Sequence, residues 1–200
     1  MNLPVLYARS RALPVTLAAL AATALVAAWC AWRLQAAEGY DHTARVPVVV
    51  LAPLLAASAV GTGLFTHADE LDRTAVRPWW ARRVGLVVGP TVLAGLLLAL
   101  SVPGHPDQFG APAMVRNLLG AAGVTAAAAV LLGARLSWLP MTAYLSTVYV
   151  SAPQVPGGAA AVWAWPMQPG PQGAAWAVAL TTYAAGVALY AWRGARPERP

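Results

Sequence analysis

Residues 66–83 read THADELDRTAVRPWWARR and hold Asp69, Glu70, Asp72, Arg73, Arg77, Arg82 and Arg83, seven charges in eighteen positions. The apolar runs on either side, 46–65 and 84–102, carry none. A charged island between two runs of membrane-crossing length belongs in water, so the runs read as spans and the island as the loop that joins them. The island also carries helix signals. Thr66 is placed to N-cap it, with Asp69 three residues on as a shortened capping-box acid. Its acids fall in the first turn and Arg73 and Arg77 later, as the helix dipole favours, and Asp69 with Arg73 is an acid-first i,i+4 pair. Leu71, Ala75 and Trp79 share one face, and Pro78 marks where the helix stops or bends. This predicts a short helix on the membrane surface that a soluble partner can grip. The simpler alternative is a solvated linker.

The composition agrees with a membrane setting. The 200 residues are 59% hydrophobic and 10% charged, with mean hydropathy +0.59, whereas soluble domains carry about a quarter charged residues. The net charge of +6 is no argument for nucleic acid, because the arginines stand at the ends of apolar runs rather than clustered with aromatics. Cys30 is the single cysteine, which leaves no disulfide framework and no Cys-based metal cluster. All thirteen basic residues are arginine. A P-loop needs a lysine to reach the phosphates, so the chain has no P-loop and is expected not to be an enzyme.

Outward from the island, the chain divides into an all-α, polytopic single membrane domain over 1–200. Six transmembrane helices are predicted at about 12–32, 46–65, 84–102, 114–133, 136–152 and 174–192. The first is flanked by Arg9, Arg11 and Arg33, with Trp29 and Trp32 as an interfacial belt; its length favours a span over a signal peptide. Residues 1–11 are a candidate amphipathic lead-in. Pro53 is a possible bend in the second span. Gly85 and Gly89 in the third are a small-xxx-small pair that suits close packing within the chain or a dimer face. Arg116 is expected to snorkel at the start of the fourth span, and Arg135 to occupy a tight turn before the fifth. Residues 157–167, GGAAAVWAWPM, are apolar but too short to cross, so a re-entrant segment is predicted between helices 5 and 6, with Trp163 and Trp165 at head-group level. Alternating sides across six spans puts ten arginines on one side and Arg33, Arg45 and Arg116 on the other. The positive-inside rule then places both termini and the island in the cytoplasm and the re-entrant segment outside.

The chemistry on offer is sparse. No Asp, Glu or His falls in the six runs, which argues against ion-coupled transport and intramembrane proteolysis. His67, Asp69, Glu70 and Asp72 would suit a hard cation on a lipid-head-group enzyme, but neighbouring acids on a helix point ~100° apart and a solvated helix explains all four, so no metal is assigned. Thr142, Ser146 and Tyr149 recur at i, i+4 and i+7 as a polar stripe in the fifth span, and Thr181, Thr182 and Tyr183 lie in the sixth. The stripe fits a possible substrate path between helices or subunits, and equally interhelical hydrogen bonding.

The layout, over nearly the whole chain, resembles the membrane subunit of an ABC-2 type transporter permease: six spans with both ends inside, an amphipathic lead-in, a charged helix between spans two and three, a short turn between four and five, and an outside re-entrant segment. The resemblance is one of architecture. It implies that Asp69, Glu70, Leu71, Asp72, Arg73 and Arg77 form a coupling helix that docks on a separate P-loop ATPase, which supplies ATP and magnesium that this chain does not bind. It further implies a homo- or heterodimer of permease subunits in a bacterial cell membrane, exporting a hydrophobic or amphiphilic small molecule. The rival expectation is a non-transporting membrane scaffold or regulator that uses the island to bind another cytoplasmic protein.

Overall fold

The structure is a computed structural model that describes residues 13–36, 41–65, 79–104, 107–152 and 156–197. Helices α1 (Leu13–Gln35), α2 (Val46–Thr62), α3 (Trp79–Ser101), α4 (Ala111–Leu132), α5 (Leu139–Ser151), α6 (Ala160–Trp163) and α7 (Gly173–Arg193) form an all-helical bundle. Short 3₁₀ turns occupy His42–Arg45 and Trp165–Met167. Five helices, all but α5 and the single turn α6, are long and apolar enough to cross a membrane. The outer faces agree, since Leu25, Trp29, Leu96, Leu100 and Trp192 are all exposed, a surface that suits lipid rather than water. The predicted helix of residues 66–78, with Asp69, Glu70, Leu71, Asp72, Arg73 and Arg77, lies outside the described residues, as do residues 1–11.

Helix α4 is the centre. Its sequence LGAAGVTAAAA is nearly devoid of bulk, so neighbours approach its backbone closely. About 67% of its crossing window is buried, against 28% for α1 and α3 and 22% for α7. On one side α2 packs against it, on another α3, and α7 makes the most extensive contact.

Cross-contacts fix the directions. Gly170 N donates to Gln108 O at 2.7 Å just ahead of α7 and α4, and Arg196 N, just past α7, donates to Ala129 O in the last turn of α4 at 2.9 Å. Helices α4 and α7 therefore run parallel. So does α2, whose Val49 meets Asn117 and whose Gly61 meets Thr125. Helix α1 runs the other way, with Thr16 against Gly63. Helix α3 does too, with Arg83 hydrogen-bonded to Ala191 O and Trp192 O at the end of α7 and Val87 packed beside Tyr190. The start of α1 and the end of α7 thus share one end of the bundle with Arg82, Arg83, Arg135, Arg193 and Arg196. Arg33, Arg45 and Arg116 mark the opposite end.

Arginines close the helix ends. The last carbonyls of a helix lack N–H partners and carry its negative dipole end. Arg83 Nη1 donates to Ala191 O and Trp192 O at 3.4 and 3.2 Å, and Arg196 Nη1 to Leu131 O at 3.0 Å. Gly133 and Gly194 follow α4 and α7 with φ of 97° and 75°, a positive-φ backbone that glycine adopts without a Cβ penalty.

The predicted fifth span is shorter than expected. Because α4 and α7 are parallel, the chain between them must return along the bundle, yet α5 has 13 residues, about 20 Å of rise against a hydrocarbon core of ~30 Å. The turn at 133–138 does contain Arg135, whose guanidinium lies over the Phe65 ring at 4.9 Å. That turn folds inward: Ala134 and Ser137 are buried, and Ser137 packs at Gly61 level with Thr125, about 10 Å short of the end of α4. Helix α5 then starts where Pro140 enters its first turn, the position proline tolerates.

Candidate functional site

The polar residues converge where the Pro-rich return segment meets α4. Proline removes a backbone donor and stops helix growth, so Trp165–Gly170, with Pro166 and Pro169, has carbonyls that no helix satisfies. Arg116 and Asn117 supply the donors. Arg116 Nη1 donates to Pro169 O at 2.7 Å, Nη2 to Gln168 O at 2.6 Å, and Nε and Nη2 to Asn117 Oδ1 at 3.2 and 3.1 Å. Asn117 Nδ2 donates to Pro166 O at 2.8 Å and to Val49 O at 3.0 Å. The second bond has a cause in α2: Pro53, inside that helix, lacks the N–H that would otherwise bond the carbonyl four residues earlier, which is Val49. Gln168 completes the node by accepting from Gly157 N at 2.8 Å through Oε1.

Arg116 is therefore 0% exposed. The snorkelling expected for it is corrected: within reach of three carbonyl-type acceptors the guanidinium is better satisfied inside than at the interface, although a cation near a helix N-terminus opposes the dipole. The arrangement is a clamp. Every acceptor it uses belongs to the protein, and it joins α2, α4 and the return segment.

Trp165 is corrected as well. At 4% exposure it is not at head-group level; its ring fills the space over Gly120, and Tyr144 stacks on it with centroids 6.4 Å apart. Trp163 is the exposed member, and its carbonyl accepts from Tyr144 Oη at 2.5 Å. A Cβ at Gly120 would overlap the Trp165 ring. Gly120→Ala is therefore expected to cost ~1–3 kcal/mol. Combining it with Trp165→Leu should cost less than the two single losses added, as a thermal-unfolding double-mutant cycle in detergent would register.

The predicted stripe lies on one face, but outside. Thr142 Oγ1 donates to Trp138 O at 3.0 Å and Ser146 Oγ to Thr142 O at 2.9 Å. Tyr149 is 59% exposed. Met141, Leu145 and Val148 form the buried face of α5, about 100° round the helix from the stripe. Thr147 and Ser151 likewise donate to the carbonyls four residues earlier, so α5 turns a hydroxyl-rich surface away from its own bundle. Their donors are spent on the helix itself and their acceptor lone pairs face outward.

A different pair of glycines from the expected one makes the close helix contact. At Gly85 and Gly89 a Cβ would meet nothing within 4 Å among the described residues, so no described helix packs closely on them. Gly123 and Gly186 instead bring α4 and α7 together, and a Cβ at Gly123 would stand 2.5 Å from Thr182 O. Beside this contact lies a cavity of about 620 Å³, apolar but for Thr182. Among the described residues no group of three or more His, Cys, Asp or Glu is placed to hold a metal ion. Comparison with protein-family models, with curated proteins and with solved structures finds no match.

Proposed function

We propose that this multi-pass membrane protein is the permease subunit of an ABC exporter, driven by a separate P-loop ATPase and moving a hydrophobic or amphiphilic small molecule. The observation that carries the reading is the outward hydroxyl face of α5, with Thr142, Ser146 and Tyr149. Polar acceptors facing hydrocarbon are unfavourable, and a second permease subunit set against α5 would enclose them as a polar-lined path. In this reading α5, short as it is, completes a sixth crossing, since parallel α4 and α7 require a return between them. The arginine-rich end faces the cytoplasm by the positive-inside rule, and with it both chain ends.

Residues 66–78 join the end of α2 to the start of α3 at that same end, where a cytoplasmic ATPase would meet them. Force applied to Asp69–Arg77 would reach the membrane through α2 and α3. The double charge reversal Glu70→Arg with Arg73→Glu is expected to abolish co-purification of the ATPase while the chain remains inserted. ATPase capture at the unaltered level would remove the docking role.

A further inference from the structure

The cavity between α4 and α7 is a trench with a built end. Its walls are Val124, Leu131 and Leu189, with Pro140 at the α5 edge, and the small side chains of Ala127 and Ala185 leave the space open. Along α4 the lining runs from Gly123 to Leu132, about 13 Å at the helical rise. The Gly123 end lies midway along the bundle beside Thr182, and the Leu132 end lies toward the arginine-rich end.

Arg196 is bonded to α4 at that end, next to the lining residues Leu131 and Leu132. Its backbone N–H is held by Ala129 O and its Nη1 by Leu131 O, so the side chain is anchored on a residue that lines the trench, while the residue as a whole is exposed. Arg193 lies nearby in sequence, also exposed, its guanidinium over the Trp192 ring at 5.1 Å. A neutral hydrocarbon would use the trench and leave the cation idle; a soluble anion would use the cation and leave the trench empty. A molecule with an apolar chain and an anionic phosphate uses both, and a guanidinium holds phosphate oxygens through paired N–H donors.

We propose that the α4–α7 trench holds one acyl chain of an anionic phospholipid, with the lipid phosphate on Arg196. The site is separate from the hydroxyl face of α5 and stands whether or not the chain transports. The experiment is native mass spectrometry of the full chain in detergent, titrated with dioleoyl phosphatidylglycerol or dioleoyl phosphatidylcholine. Phosphatidylglycerol is expected to bind one-to-one in preference to phosphatidylcholine. Arg196→Gln should weaken phosphatidylglycerol about fivefold, the scale of one arginine near an anionic lipid, and leave phosphatidylcholine unchanged. Ala185→Phe, at an exposed position on the trench wall, should fill the space and reduce the binding of both lipids. Arg33→Gln, at the opposite end of the bundle, should alter neither. Equal retention of the two lipids, or a phosphatidylglycerol affinity unchanged by either Arg196→Gln or Ala185→Phe, would overturn the assignment.

Discussion

Gly186→Ala is expected to lower the thermal unfolding midpoint of the detergent-purified protein by roughly 5 °C or more, corresponding to at least ~2 kcal/mol. A Cβ at this position would overlap the carbonyl oxygen of Gly123, and the nearest atoms on that side are all α4 backbone. Backbone cannot swing aside as the tip of a side chain can, so α4 and α7 must separate along their whole parallel contact. That contact is the most extensive in the bundle, and leucine at position 186 should prevent the native packing altogether. The control is Gly89→Ala, where the added methyl meets nothing within 4 Å among the described residues. There the helix-propensity gain of alanine, up to ~1 kcal/mol, should appear unopposed. Similar losses at the two positions would mean that the close α4–α7 approach does not exist.

The second large effect is expected at the buried guanidinium. Arg116→Met removes the donors on Gln168 O, Pro169 O and Asn117 Oδ1 together while leaving the volume largely filled. Each buried acceptor stripped of its donor costs about 1–3 kcal/mol, so a total of ~3–5 kcal/mol is expected, with early proteolysis in the 157–171 segment as the return path detaches. Arg116→Lys should recover only part of the loss, because a single ammonium cannot reproduce the planar fork. Asn117→Leu strips the donor from Val49 O as well, and its combination with Arg116→Met should be less than additive because the two residues share bonds. Arg33→Met, on an exposed side chain at the same end, should stay within ~0.5 kcal/mol. If Arg116→Met unfolds no earlier than Arg33→Met, the clamp contributes nothing.

The long helices were legible because crossing hydrocarbon demands about twenty apolar residues, and the runs of α1, α2, α3, α4 and α7 display that length directly. The turn at Arg135 was legible from the expense of placing a cation at mid-membrane. Helix α5 was only partly legible, since its start depends on how far the 133–138 turn tucks beneath the end of α4, where Ser137 meets Gly61. The spaced pair Gly85 and Gly89 drew attention through its pattern, while the contact that forms uses Gly123 and Gly186 from different helices, and local spacing carries no information about which helix will be opposite. For the buried clamp a signal did exist: Arg116 and Asn117 stand side by side in an apolar run, and a Pro-rich segment with unpartnered carbonyls follows some fifty residues later.

By itself the sequence determined that this is a helical protein with several runs fit to cross a membrane, and at which helix ends the described arginines stand, because apolar length and charge placement are local properties that the bilayer reads one segment at a time. Only the tertiary structure decided that α4 is central, that α4 and α7 run parallel, that Arg116 turns inward and that the hydroxyls of α5 turn out. Those outcomes depend on partners remote in the chain. The carbonyl of Val49 lacks a donor because of Pro53 and finds one on Asn117, and no reading of either neighbourhood alone contains that bond.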